Sequence, residues 1–324
     1  MGSLRLFLAI SILVDHTTPL GSLQLMPDVT PVWLFFIISG FYMQMISSGK
    51  YGDHIWTFYS NRALRLYPVY FIAAALALAH TGALRSLAAP PPALYLPTFI
   101  ANTTLFGGDL LFYFGEHGRL LVGPAWSIGI ELWFYLLVPV LSRANSVVVL
   151  TCSAVSAGLA MHMEAAQPGS SYYFFPANFY LFGAGMLAFR AMNFLLAMPF
   201  KWDQFVHAAA IAGVALLVLR PLIPGFRNYP WAQEIVLVVC LPFIFEATRS
   251  LRWDRAIGNL SYSVYLLHEP VMDWLGGKPS GIATLLITLP LALAVYIVVE
   301  SPIDRWRQRR AVGRPLATQQ LPAA

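Results

Sequence analysis

The sequence predicts an all-α fold: a polytopic membrane bundle of about ten transmembrane helices, N-in and C-in. Three observations predict it. Of 324 residues, 58% are apolar and only 11% are charged, against roughly 25% charged in a typical soluble domain. Apolar runs near the ~20 residues a helix needs to cross hydrocarbon recur from one end of the chain to the other. Lys and Arg also segregate by side. With ten spans threaded from an inside N-terminus, fifteen of the 20 fall inside, and Arg85, Arg119, Arg220, Arg227 and Lys278 fall outside. That is the positive-inside bias of an even-span protein, and an odd count inverts part of it.

Ten segments carry the spans: 3–20, 31–48, 66–83, 125–142, 146–162, 174–190, 205–220, 231–247, 257–275 and 281–299. The first begins MGSLRLFLAISILVDH and imitates a secretory leader, but Asp15 and His16 follow with no small-x-small cleavage site, so it reads as a retained first span. Several spans contain Pro, Gly or polar residues, which are tolerated where they face protein or a water-filled cavity. The connection 84–124 is long and rich in Pro and Gly, yet apolar enough for re-entrant or surface segments at a substrate entrance. The stretch 49–65, GKYGDHIWTFYSNRALR, is basic and aromatic and reads as a short interfacial helix. Residues 1–310 form a single transmembrane domain, and 311–324 a small, polar, disordered cytoplasmic tail.

The two cysteines, Cys152 and Cys240, lie inside apolar runs and indicate neither a disulfide nor a redox compartment. No H-x-x-x-H, H-E-x-x-H or paired-cysteine spacing suggests a metal, and no phosphate loop suggests an ATP-driven pump. The net charge of +5 does not point to nucleic acid, because in a membrane protein the placement of charge matters more than its sum.

A carboxylate in hydrocarbon costs several kcal/mol unless it has a partner or reaches water, so Glu131, inside LVGPAWSIGIELWFYLLVPV, requires an explanation. Arg5 and His16 share the first span, about three turns and ~16 Å apart on nearly one face. Glu131 is expected to meet His16 in a shared pocket and to orient or electrostatically support it as a base. Arg62 and Arg65, spaced i,i+3, present a guanidinium pair suited to phosphate. His268 competes with His16 for the role of base, and Trp126, Ser127 and Tyr135 are placed to line the pocket. Each has a plainer alternative. Arg5, Arg62 and Arg65 also read as topology anchors, His16 as a loop histidine, and Glu131 as the partner in a structural hydrogen bond.

Taken in order, these fragments resemble the membrane acyltransferase-3 family of multispan bacterial O-acyltransferases. The likeness runs over nearly the whole chain: R-x10-H at Arg5 and His16, FFIISGF at 35–41, RALRLYPVY at 62–70, WSIGIELWFY at 126–135, IGNLSYSVYLLHEP at 257–270 and VESPIDRW at 299–306. The last departs from the commoner V-E-R-P by one basic residue. The resemblance implies transfer of an acetyl or other small acyl group from cytoplasmic acyl-CoA to a hydroxyl of a sugar, polysaccharide or lipid-linked glycan. It implies a location in the bacterial inner membrane, with acyl-CoA as donor substrate and no permanently bound cofactor. By the same resemblance His16 and Glu131 are catalytic, and Arg5, Arg62 and Arg65 handle acyl-CoA. The alternative class is a glycan or lipid transporter or flippase without acyl-transfer chemistry, which also needs charged groups within the bundle.

Overall fold

A computed structural model of the chain describes residues 1–17, 25–26, 29–48, 55–80, 92–196, 198, 203–219 and 231–312. The tail 313–324, the 49–54 connection and residues 81–91, at the start of the long 84–124 connection, lie outside them. Among the described residues the secondary structure is helical, with thirteen α-helices. They are α1 Gly2–His16, α2 Thr30–Ile46, α3 Ile55–Ala79, α4 Pro92–Thr104, α5 Gly108–Tyr113, α6 Ala125–Leu141, α7 Ser146–Ala166, α8 Phe175–Leu196, α9 Asp203–Leu219, α10 Ala232–Thr248, α11 Arg252–Trp274, α12 Gly281–Val295 and α13 Ser301–Val312. A π-helical turn, Tyr296–Glu300, joins the last two.

Four helical stretches are long and apolar enough to cross a membrane: Ile55–Ala79, Ser146–Ala166, Phe175–Leu196 and Gly281–Arg307. Thr30–Ile46, Ala125–Leu141 and Phe205–Leu219 are apolar but shorter. Their burial pattern suits lipid. On α7, Val147, Leu150, Val155 and Met161 are exposed, as are Ile282, Leu286 and Leu293 on α12. Apolar side chains concentrated on outward faces have a partner in acyl chains and none in water.

Local sequence explains where the helices begin and how closely they pack. Pro31 sits in the first turn of α2, where its missing N–H costs nothing. Asn145 accepts from the Val148 N–H and caps α7, and Ser280 does the same for α12 from Ala283. α2 lies at the centre, buried on several faces. It packs chiefly on α8, and α1 packs chiefly on α11. Both contacts rest on glycine: Gly40 and Gly185 seat against the backbones at Phe182 and Ile37, and Gly2 and Gly258 face each other across α1 and α11. A Cβ at any of these positions would collide with main chain, so the axes approach as closely as small-residue interfaces allow.

One expectation is corrected. The basic, aromatic stretch predicted as a separate interfacial helix continues without a break into the third span, giving the 25-residue α3 with Pro68 inside it. The polar residues that suggested a surface helix, Asn61, Arg62 and Arg65, line an internal cavity. The helix also runs two residues into the predicted tail, to Val312. The described part of the 84–124 connection forms α4 and α5, bound inward by Asn102, which donates to the Thr98 and Arg119 carbonyls and accepts from the Leu121 N–H.

Candidate active site

α1, α2, α3, α6 and α11 enclose a cavity of about 580 Å³. One end is basic: Arg5 from α1, Arg62 and Arg65 from α3, Arg249 and Arg255 around the α10–α11 junction, and Arg307 from α13. The deeper walls carry Ser39, Glu131, Tyr135, Ser127 and Tyr265. Ser39 on α2 and Ser127, Glu131 and Tyr135 on α6 come from helices that are otherwise largely apolar, so these polar groups turn inward while the apolar positions are buried or face lipid.

The expected pairing of Glu131 with His16 is not formed. Ser39 Oγ and Tyr135 OH both donate to Glu131 Oε1, at 2.5 and 2.6 Å. Tyr135 lies one turn further along α6, and Ser39 comes from α2. The sequence reading missed Ser39 because nothing local links positions 92 residues apart. Glu131 itself lines the cavity. The partner of His16 is His268: His16 Nδ1 lies 2.9 Å from His268 Nε2. His16 is exposed at the end of α1, whereas His268 is wholly buried in α11. His268 Nδ1 donates to the Tyr265 carbonyl at 2.6 Å.

Tyr265 connects this pair to the cavity. Its hydroxyl is 2.7 Å from Ser127 Oγ and 3.0 Å from the Pro124 carbonyl. The Gly123 N–H donates to Glu269, so the start of α6 is held against α11 immediately beside His268. His16 and His268 are not cavity-lining residues, and neither is Trp126. Trp126 packs instead into an aromatic cluster with Tyr172 and Tyr173, ring centroids 4.7 and 4.8 Å away. Of the residues expected to line the pocket, Ser127 and Tyr135 do so, Trp126 lies behind, and His268 sits one turn beyond Tyr265.

The two arginines of α3 differ in environment. Arg65 pairs with Glu300 at 3.1 Å and sits over the Tyr262 ring at 5.7 Å. Ser263 donates to the other Glu300 oxygen, and the π-helical turn ends on Glu300, which is buried. Arg62 instead lies over the Phe58 and Tyr135 rings, each 6.0 Å from its guanidinium carbon. Neither the aromatic faces nor the distant Met43 sulfur neutralises it. Arg249, Arg255 and Arg307 were read from sequence only as topology markers, and their place at the cavity rim emerges only when α10, α11 and α13 are assembled.

The fold and site are those of an all-helical membrane protein with a basic, polar-walled cavity between its helices. The acyltransferase domain of the acyltransferase-3 family matches residues 3–300. The chain belongs to that family and is an acyltransferase. It is 24% identical to Nodulation protein 10 of Rhizobium leguminosarum bv. viciae, the comparison covering 94% of this chain and 92% of that one. It is 27% identical to the exopolysaccharide production protein ExoZ of Rhizobium meliloti (strain 1021), over 88% of this chain and 92% of the relative. No solved structure matches.

Proposed function

We propose that the protein is an O-acyltransferase of the bacterial inner membrane that moves an acetyl or other small acyl group from cytoplasmic acyl-CoA to a hydroxyl of a sugar, polysaccharide or lipid-linked glycan. The observation that carries this reading is the cavity. Its six rim arginines all belong to the side that the charge distribution puts inside, and its far wall, Ser127 and Tyr265, adjoins the His16–His268 pair. In this reading ten segments cross the bilayer, α1–α3 and α6–α12, with both termini cytoplasmic.

The phosphates of acyl-CoA bind at the rim, where Arg62 and Arg5 have no carboxylate in ion-pair contact among the described residues, and the pantetheine arm extends up the cavity. The Arg5-to-His16 rise of about 16 Å is the distance the thioester must cover. Glu131 serves this arm rather than the base. One oxygen is occupied by Ser39 and Tyr135, so the other accepts an amide N–H of pantetheine. His16 takes the proton of the acceptor hydroxyl, whose oxygen bonds to the acyl carbon. The carbon–sulfur bond breaks, and the proton passes from His16 to the departing thiolate. A base is needed because a neutral hydroxyl is a poor nucleophile near neutral pH.

The relative ExoZ is named for exopolysaccharide production, which favours a glycan as acceptor. The test is mass spectrometry of surface glycans from cells with and without the gene. Ester-linked acyl groups that disappear with the gene are expected, and identical glycans from both strains contradict the acceptor class.

A further inference from the structure

The acyl-transfer reading needs a base but does not say which nitrogen acts or what holds it. We infer that His268 is a positioning residue that locks His16 in the tautomer whose free nitrogen is Nε2, and that Nε2 is the atom that deprotonates the acceptor. The inference rests on the acyl-transfer reading for its chemistry and on hydrogen-bond logic for its geometry.

The Tyr265 carbonyl can only accept, so the 2.6 Å contact requires a proton on His268 Nδ1. His268 is 0% exposed, and both ring nitrogens contact neutral groups, the Tyr265 carbonyl and the His16 imidazole. A charged ring there would be buried without a counter-ion, so His268 is neutral and its Nε2 carries a lone pair. The 2.9 Å contact then requires a proton on His16 Nδ1. A neutral His16 is left with its lone pair on Nε2, at the exposed end of α1. One backbone carbonyl thus sets the proton positions of two rings.

The arrangement does the work of an orienting carboxylate without a charge. When His16 gains the acceptor proton on Nε2, its Nδ1–H continues to donate to His268, so the imidazolium keeps one satisfied hydrogen bond within the protein. Both the neutral and the protonated state use the same contact, and proton transfer requires no ring flip. Glu131 cannot take this part, because its hydrogen bonds go to Ser39 and Tyr135.

Two measurements test it. The first does not depend on turnover: nitrogen-15 histidine NMR of the full chain in lipid bilayers, with signals assigned by His16→Asn and His268→Asn. His16 protonated on Nδ1 and free on Nε2, with a through-hydrogen-bond coupling to His268 Nε2, is the expected result. A proton on His16 Nε2 in the resting protein, or no coupling, overturns the inference. The second is kinetic. His268→Ala lowers kcat by about 10²-fold, the low end of what a positioned base contributes, and leaves the KM for acyl-CoA unchanged. His268→Gln, whose side-chain carbonyl can accept from His16 Nδ1, recovers most of the loss. Wild-type kcat in folded His268→Ala overturns the positioning role. A wild-type protein that consumes no acyl-CoA overturns the acyl-transfer reading instead, and the NMR result then decides the proton positions.

Discussion

His16 and His268 stand 252 positions apart, yet His16 Nδ1 is 2.9 Å from His268 Nε2. That distance is set by the packing of α1 on α11, and the packing is set at the opposite end of the pair by glycine on glycine. Gly2 and Gly258 are in contact, with no room for a Cβ on either. The backbone contact at the basic end and the imidazole contact at the other are two ends of one interface.

Gly258→Val therefore acts at a distance. The added carbons push α1 off α11, at a cost of about 1–3 kcal/mol, as overpacking of a close interface does. The two rings separate as a result. Thermal unfolding in detergent should show lowered stability together with lost acyl transfer, whereas unchanged activity would show that the helix spacing does not control the imidazole pair.

Arg62 and Arg65 should separate into different phenotypes. Arg62 has no ion pair among the described residues, so Arg62→Ala is expected to weaken acyl-CoA binding with little loss of stability. Arg65→Ala strips buried Glu300 of its counter-ion, which is expected to destabilise the fold by about 3 kcal/mol. Titration with acyl-CoA alongside thermal melts distinguishes them. Equal binding by Arg62→Ala and wild type would remove Arg62 from the donor site.

Glu131→Gln tests the pantetheine contact. The amide oxygen can still accept from Ser39 and Tyr135, so the fold is retained, but the group left facing the cavity becomes a donor. Loss of one hydrogen bond to a charged acceptor raises the KM for acyl-CoA about tenfold or more. A KM equal to wild type would place the arm elsewhere.

Topology is testable by single-cysteine labelling in a Cys152→Ala, Cys240→Ala background. Lys278→Cys should react with a membrane-impermeant maleimide in intact cells. Arg143→Cys should react only after permeabilisation. Labelling of both from outside would contradict the ten-span threading.

The apolar framework was legible in the sequence because lipid and core both demand long apolar runs. All ten predicted segments correspond to helices. What was not legible follows from burial across helices. The polar stretch through Asn61, Arg62 and Arg65 read as surface because hydropathy does not distinguish a cavity from water, so α3 was split in two. Glu131 was correctly singled out as a carboxylate that needs a partner, but its partner on α2, Ser39, is an ordinary serine in a span. His268 competes with His16 for the role of base, and the sequence around it does not show what orients its ring. What holds it is a backbone carbonyl, which side-chain spacing does not reveal.

The most direct measurement is acyl transfer by purified protein in proteoliposomes, supplied with acetyl-CoA and polysaccharide isolated from cells lacking the gene. Wild type should release one free thiol for each ester formed on the glycan, and folded His16→Ala should do neither. His16→Ala turning over at the wild-type rate would contradict the account.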